Sequence, residues 1–223
     1  MRSKILAAFE HLPYFTFEGF RQMAGIETGK EPQVRTALYR WVKAGHLLPL
    51  KKGMYMHRRF YELHCQDPAF LPMVSAILLP QSYLSMEYVL QQRGILTEIT
   101  YPVTAITQKN TRTILNSLGT FEYRHIQPEL YFGFQIWEAY GVPYAQASVA
   151  KALFDYLYLR PLPVELEPQR YNLAEELRLN LDEFGREEQE EFASYVLKSE
   201  TIRKGSRKMR WILTNLEVHL WQP

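Results

Sequence analysis

An α+β fold is predicted for this chain of 223 residues on three observations. Helix-period apolar patterning opens it, short β-rich segments joined by turn residues are grouped in its middle, and helical patterning returns at its end. Strands grouped between helices argue against alternating βαβ units. The charge is also split: residues 1–60 hold 11 Lys+Arg against 4 Asp+Glu, net +7, and the other 163 residues hold 15 against 20, net −5. One basic module followed by a mildly acidic one is expected when only the first meets phosphate. With 47% hydrophobic and 14% aromatic residues, both parts can bury a core, which excludes large-scale disorder.

Ile5, Leu6, Phe9 and Leu12 share one face of a 3.6-residue period and predict a first helix, ended near Pro13. Thr16 is the expected N-cap of a second, whose Phe17, Phe20, Met23 and Ala24 form an apolar stripe before Gly25. Gly25 to Glu31 is a longer turn than the tightest helix-turn-helix units use. Pro32 then suits the first turn of a third helix, because its missing N–H costs nothing there. Val34, Leu38, Trp41 and Val42 mark its inward face, and Gly45 its exit. Gln33, Arg35, Thr36, Tyr39, Arg40 and Lys43 occupy the opposite face. Cations, an amide and a hydroxyl on one helix face are what major-groove reading uses. Leu47 to Leu50 and Met54 to His57 read as a hairpin tipped by Lys51, Lys52 and Gly53, with Arg58 and Arg59 following. Helix, turn, basic helix and lysine-tipped hairpin is the order of a winged helix-turn-helix, so residues 1–60 are expected to bind double-stranded DNA.

A second, α+β domain is expected over residues 67–162. Leu71 to Leu79 and Leu84 to Arg93 suggest helices separated at Pro80. Tyr101–Thr107, Arg112–Leu115, Thr120–Ile126, Phe134–Tyr140 and Tyr144–Ala147 read as strands of an antiparallel-rich sheet. Ser148 is placed to cap a helix over Ala150–Arg160. Pro161-Leu162-Pro163 breaks the chain before a helical C-terminal extension, residues 163–223. There, an acidic helix over Asp182–Lys198 precedes a helix over Ile202–Gln222 that carries Arg203, Lys204, Arg207, Lys208 and Arg210. That basic cluster reads either as a solvated face paired with the acidic helix or as a second contact with DNA or a partner.

Four ordered blocks carry a resemblance. They are Tyr83-Leu84-Ser85-Met86-Glu87-Tyr88-Val89-Leu90, Val103-Thr104-Ala105-Ile106-Thr107, Gly119-Thr120-Phe121-Glu122-Tyr123-Arg124-His125-Ile126, and Lys151-Ala152-Leu153-Phe154-Asp155-Tyr156-Leu157-Tyr158-Leu159-Arg160. With the N-terminal module they resemble the AbiEi antitoxin family over residues 1 to about 160. The resemblance implies a winged-helix transcriptional repressor that autoregulates its operon, and an inverted-repeat operator held by a dimer on DNA is expected. It also implies the antitoxin of an abortive-infection, type IV toxin-antitoxin pair, countering a nucleotidyltransferase toxin.

Other chemistry is weakly signalled. Ser85, His125 and Asp155 can be written as a triad, but no Gly-x-Ser-x-Gly elbow surrounds Ser85. Glu87, Asp155 and Lys151 can be posed as a nuclease-like metal site, yet Lys151 and Asp155 at i, i+4 are more simply a helical ion pair. The single Cys65 beside His64 rules out an intrachain disulfide or a multi-cysteine zinc site, and no phosphate-binding glycine loop is present. No catalytic residue, cofactor or metal is expected. The apolar run at Phe70–Pro80 is too short to span a bilayer and Met1-Arg2-Ser3-Lys4 opens no signal peptide, so a cytoplasmic protein is expected. The alternatives left open are an enzyme acting on nucleic acid, with the N-terminal module as its dock, and a protein-interaction module. About five phosphate contacts per protomer would give a salt slope near −4.5.

Overall fold

The structure, a computed structural model, describes residues 6–27, 29–97, 102–182, 184–200 and 206–221. It is mixed α+β, with one antiparallel and one mixed sheet. Chain contacts divide it into two compact units: residues 1–80 with 113–121 and 138–144, and residues 81–112, 122–137 and 145–223.

In the first unit, Leu6 and Ala7 are helical, as expected, and residues 8–11 continue as turns closed by bonds such as Phe9 N to Leu6 O at 3.0 Å; Leu6 and Phe9 enter the core. Ile5, read as the start of that helix, lies outside the described residues. A short strand not expected from the sequence, β1 (Phe15–Thr16), leads into α1 (Phe17–Met23). Thr16 caps α1 as expected, its Oγ1 accepting from Gly19 N at 3.0 Å. Only part of the expected stripe is inward: Phe20 is buried, whereas Met23 is 55% exposed because α1 stops there. α2 (Glu31–Lys43) begins with Pro32 in its first turn and ends before Gly45, whose φ of +78° an L side chain rarely adopts. The hairpin β2 (Leu47–Lys51) and β3 (Met54–His57) turns at Lys52 and Gly53, and β1 pairs with β3 to make the order β1-β3-β2. Phe9, Phe15, Phe20, Val34, Leu38 and Leu47 form one core beneath α2. α3 (Arg58–His64) is an unexpected helix, capped by His57 Nδ1 accepting from Arg59 N at 3.1 Å. α4 (Phe70–Leu78) completes the main run. The unit therefore reaches past residue 60, the expected end of the N-terminal module. Phe60 on α3 is buried against Tyr140, and Lys51 bonds the end of α4.

The six strands of the other sheet run in the order β6-β7-β5-β4-β9-β8. They are β4 (Ser82–Leu84), β5 (Val103–Thr107), β6 (Arg112–Asn116), β7 (Gly119–His125), β8 (Phe134–Ala139) and β9 (Val142–Ala147). β4 lies antiparallel to β5 and parallel to β9, with Tyr83 opposite Ile106 and Ala145. β4 corrects the expectation of a helix starting at Leu84: the helix, α5 (Glu87–Gln92), begins three residues later. Buried on both sides, Ser82–Leu84 has no alternating pattern that would mark a strand. The second unit carries α6 (Val149–Leu159), α7 (Leu173–Glu176), α8 (Arg186–Glu200) and α9 (Ser206–His219). Ser148 caps α6 as expected, its Oγ accepting from Lys151 N at 3.1 Å. Among the described residues, no helix is long and apolar enough to cross a membrane.

Candidate nucleic-acid interface

α2 owes its two faces to sequence spacing. Val34 and Leu38 are fully buried one turn apart, and Trp41 packs edge-on to Phe20 at 5.5 Å between centroids. That leaves Gln33, Arg35, Thr36, Tyr39, Arg40 and Lys43 all exposed on the outer side, as the sequence predicts. Several are held by neighbours. The Arg35 guanidinium sits 5.7 Å from the Phe17 ring centroid, and Lys43 Nζ lies 5.5 Å from that of Tyr39. The Thr36 hydroxyl donates to Pro32 O at 2.8 Å, leaving its oxygen free to accept. Arg40 has no ion pair among the described residues, so it is the least encumbered cation on the face.

The hairpin tip is only half of what the sequence suggests. Lys52 is exposed beside Gly53, whose φ of +74° closes the turn. Lys51 is a correction: its ammonium donates to Ile77 O at 3.1 Å and Leu78 O at 2.8 Å. These are C-terminal carbonyls of α4, which have no helical partner and attract a cation. Arg58 and Arg59 are exposed but paired. Arg58 donates to Gly45 O at 2.5 Å and lies 3.7 Å from Glu62, while Arg59 lies 3.6 Å from Glu10.

The C-terminal cluster is likewise reduced. Arg203 and Lys204 lie outside the described residues. Lys208 is turned inward, its ammonium donating to Tyr158 O at 2.7 Å and to Arg160 O. Burial pushes its pKa down to about 8. Arg210 pairs with Glu200 at 2.8 Å, as the solvated-face reading expects, and Arg207 is exposed.

A different constellation lies in the core of the second unit. Lys151 and Asp155, one turn apart on α6, form an ion pair at 2.5 Å with both side chains fully buried. The other carboxylate oxygen accepts from Tyr83 OH at 2.9 Å and Ser85 Oγ at 2.8 Å. The ammonium lies 4.7 Å from the Phe154 ring centroid and 4.9 Å from that of Phe132. Burial dominates the titration of every member: it raises the Asp155 carboxyl and the Tyr83 phenol and lowers the Lys151 ammonium. Gly133 covers the lysine stem so closely that a Cβ there would lie 2.9 Å from Lys151 Cγ.

The i, i+4 ion pair was legible in the sequence; the two hydroxyl donors were missed. Their signal is that Tyr83 and Ser85 are two residues apart, hence on one side of an extended chain. The posed triad is not brought together. Ser85 reaches Asp155, but His125 is exposed and its Nδ1 lies 3.2 Å from Lys109 O. Glu87 makes no ion pair with Lys151 among the described residues, and they hold no group of three or more His, Cys, Asp or Glu fit for a metal. No family model matches the chain, and no curated protein matches it.

Proposed function

We propose that this chain is a DNA-binding transcriptional repressor that acts by binding rather than turnover, with residues 1–60 as a winged helix-turn-helix. One observation carries the reading: the amide, hydroxyl and cationic side chains of α2 all face solvent while its opposite side is locked into the core. The β1-β3-β2 sheet beside α2 and the exposed Lys52 at its hairpin tip support it. α2 enters the major groove, with Arg40 and Gln33 positioned to read base edges and Arg35, Lys43 and Lys52 on phosphates. With Lys51 withdrawn, about three phosphate contacts per protomer give a salt slope near −2.7.

The partner and pathway rest on the four sequence blocks that resemble the AbiEi family. On that ground the chain is proposed to act in the cytoplasm as a type IV antitoxin. Two protomers bind an inverted repeat of its own operon, and the protein counters a nucleotidyltransferase toxin. A mobility shift on the DNA upstream of its gene, against random duplex, tests the DNA part. Selective binding that weakens with salt is expected. Equal affinity for both duplexes with no salt dependence overturns it. Co-expression with the neighbouring open reading frame tests the antitoxin part by growth rescue.

A further inference from the structure

The second unit holds a cavity of about 350 Å³ lined by both acids and bases. Glu87 opens α5, Glu122 and Arg124 lie two residues apart on one side of β7, and Arg160 follows α6. No ion pair among the described residues joins any of these four to another. Acids and bases that share a cavity yet stand apart leave room for a ligand bearing both signs.

The walls are built rather than incidental. Arg160 is held in place, its guanidinium 5.0 Å from the Tyr156 ring centroid while Nη1 donates to the Tyr156 hydroxyl. Its other N–H groups stay available to a carboxylate. Met86 is buried and adopts φ 57°, ψ −136°, a conformation unfavourable for a residue with a side chain. Such strain persists where the surroundings enforce it, and ligand-binding turns are among those places. Here it delivers Glu87 to the cavity wall directly after β4. Met86, Leu159 and Pro161 supply an apolar side.

We propose that this cavity binds an α-amino acid with an apolar side chain. Its carboxylate pairs with Arg160 and Arg124, its ammonium with Glu87 and Glu122, and its side chain rests on Met86, Leu159 and Pro161. The volume lies at the lower end of the roughly 300–1,000 Å³ usual for small-molecule sites. The proposal does not rest on DNA binding.

Isothermal titration of the full chain with L-leucine, L-methionine and L-phenylalanine, each to about 10 mM, tests it. Saturable binding of at least one is expected. N-acetyl-L-leucine and L-leucinamide, each lacking one charge, are expected to bind at least about tenfold more weakly than L-leucine, because each loses a charge-assisted hydrogen bond. Arg160→Gln and Glu87→Gln are expected to weaken the amino acid by a similar factor. No saturable heat from any of the three overturns the proposal, as do equal affinities for the blocked analogues. Binding of inorganic phosphate without amino acid would mark an anion site and overturn it too. The analogues probe the unaltered protein, so the test stands even where a substitution disturbs folding.

Discussion

Replacing Lys151 by Met separates the cost of the buried ion pair from that of packing. The thioether roughly keeps the lysine stem's volume beneath Gly133 and between Phe132 and Phe154, so little cavity forms. What is lost is the cation 2.5 Å from Asp155, in a site with no solvent exposure. Removing one partner of such a pair costs about 3–5 kcal/mol, because a carboxylate is left buried without its counter-ion. Tyr83 and Ser85 still donate to that carboxylate, which places the expectation near the lower end, about 3 kcal/mol. At about 2–4 °C per kcal/mol for a chain of this size, melting should fall by about 6–12 °C.

Urea unfolding followed by circular dichroism measures it, with an unchanged m-value as the control. Lys151→Met/Asp155→Asn removes both charges while the amide oxygen can still accept from both hydroxyls. It should recover most of the loss, with a coupling energy of about 2 kcal/mol. In the single variant only the Tyr83 and Ser85 hydroxyls still oppose burial at Asp155, so its folded pKa lies further above the unfolded value of 3.8. The folded state then binds more protons, and the deficit should shrink as the pH falls from neutral toward 4. A loss under about 1 kcal/mol in Lys151→Met, or a double variant no better than the summed singles, refutes the reasoning.

Three further outcomes follow from particular contacts. Gly133→Ala meets both a φ of +76° and a Cβ 2.9 Å from Lys151 Cγ and from the Tyr195 hydroxyl. A loss of about 2–4 kcal/mol is expected in thermal or urea unfolding, and a change under about 1 kcal/mol contradicts the close approach. Lys208 has a folded pKa of about 8 against 10.5 in the free side chain, so between those values the unfolded chain binds more protons. Its burial penalty is fully present below pH 8 and is relieved as the pH rises to 10.5. The melting temperature of wild type should therefore gain on that of Lys208→Met across this window, modestly because Lys208 is only half-buried. Lys52→Ala should weaken binding to every duplex and flatten the salt slope by about 0.9, whereas Lys51→Ala should lower stability and leave the slope unchanged. Equal effects of the two on DNA binding would show that Lys51 leaves its carbonyl partners to meet phosphate.

Where a signal was periodic and local, the sequence was read correctly. The two sides of α2, the caps at Thr16 and Ser148, the hairpin around Lys52 and Gly53, and the helical pair of Lys151 and Asp155 each depend on residues within a few positions of one another. Leu84, expected to open a helix, ends a strand instead: buried on both sides, Ser82–Leu84 shows no alternation, and its neighbours in the sheet lie at Val103–Thr107 and Val142–Ala147. Lys51 was misread for a related reason. Its position at a hairpin tip says solvent, but its partners are carbonyls 26 and 27 residues away.

The sequence alone therefore determined the α+β class, a basic first portion and which helix face stays wet. Those follow from residue chemistry repeated at helical or strand spacing. Tertiary structure decided which cations are free, that Tyr83 and Ser85 converge on Asp155, and that Glu87, Glu122, Arg124 and Arg160 surround one cavity. A charge placed by local periodicity can still be claimed by a distant carbonyl or carboxylate, and only the folded chain shows which ones are.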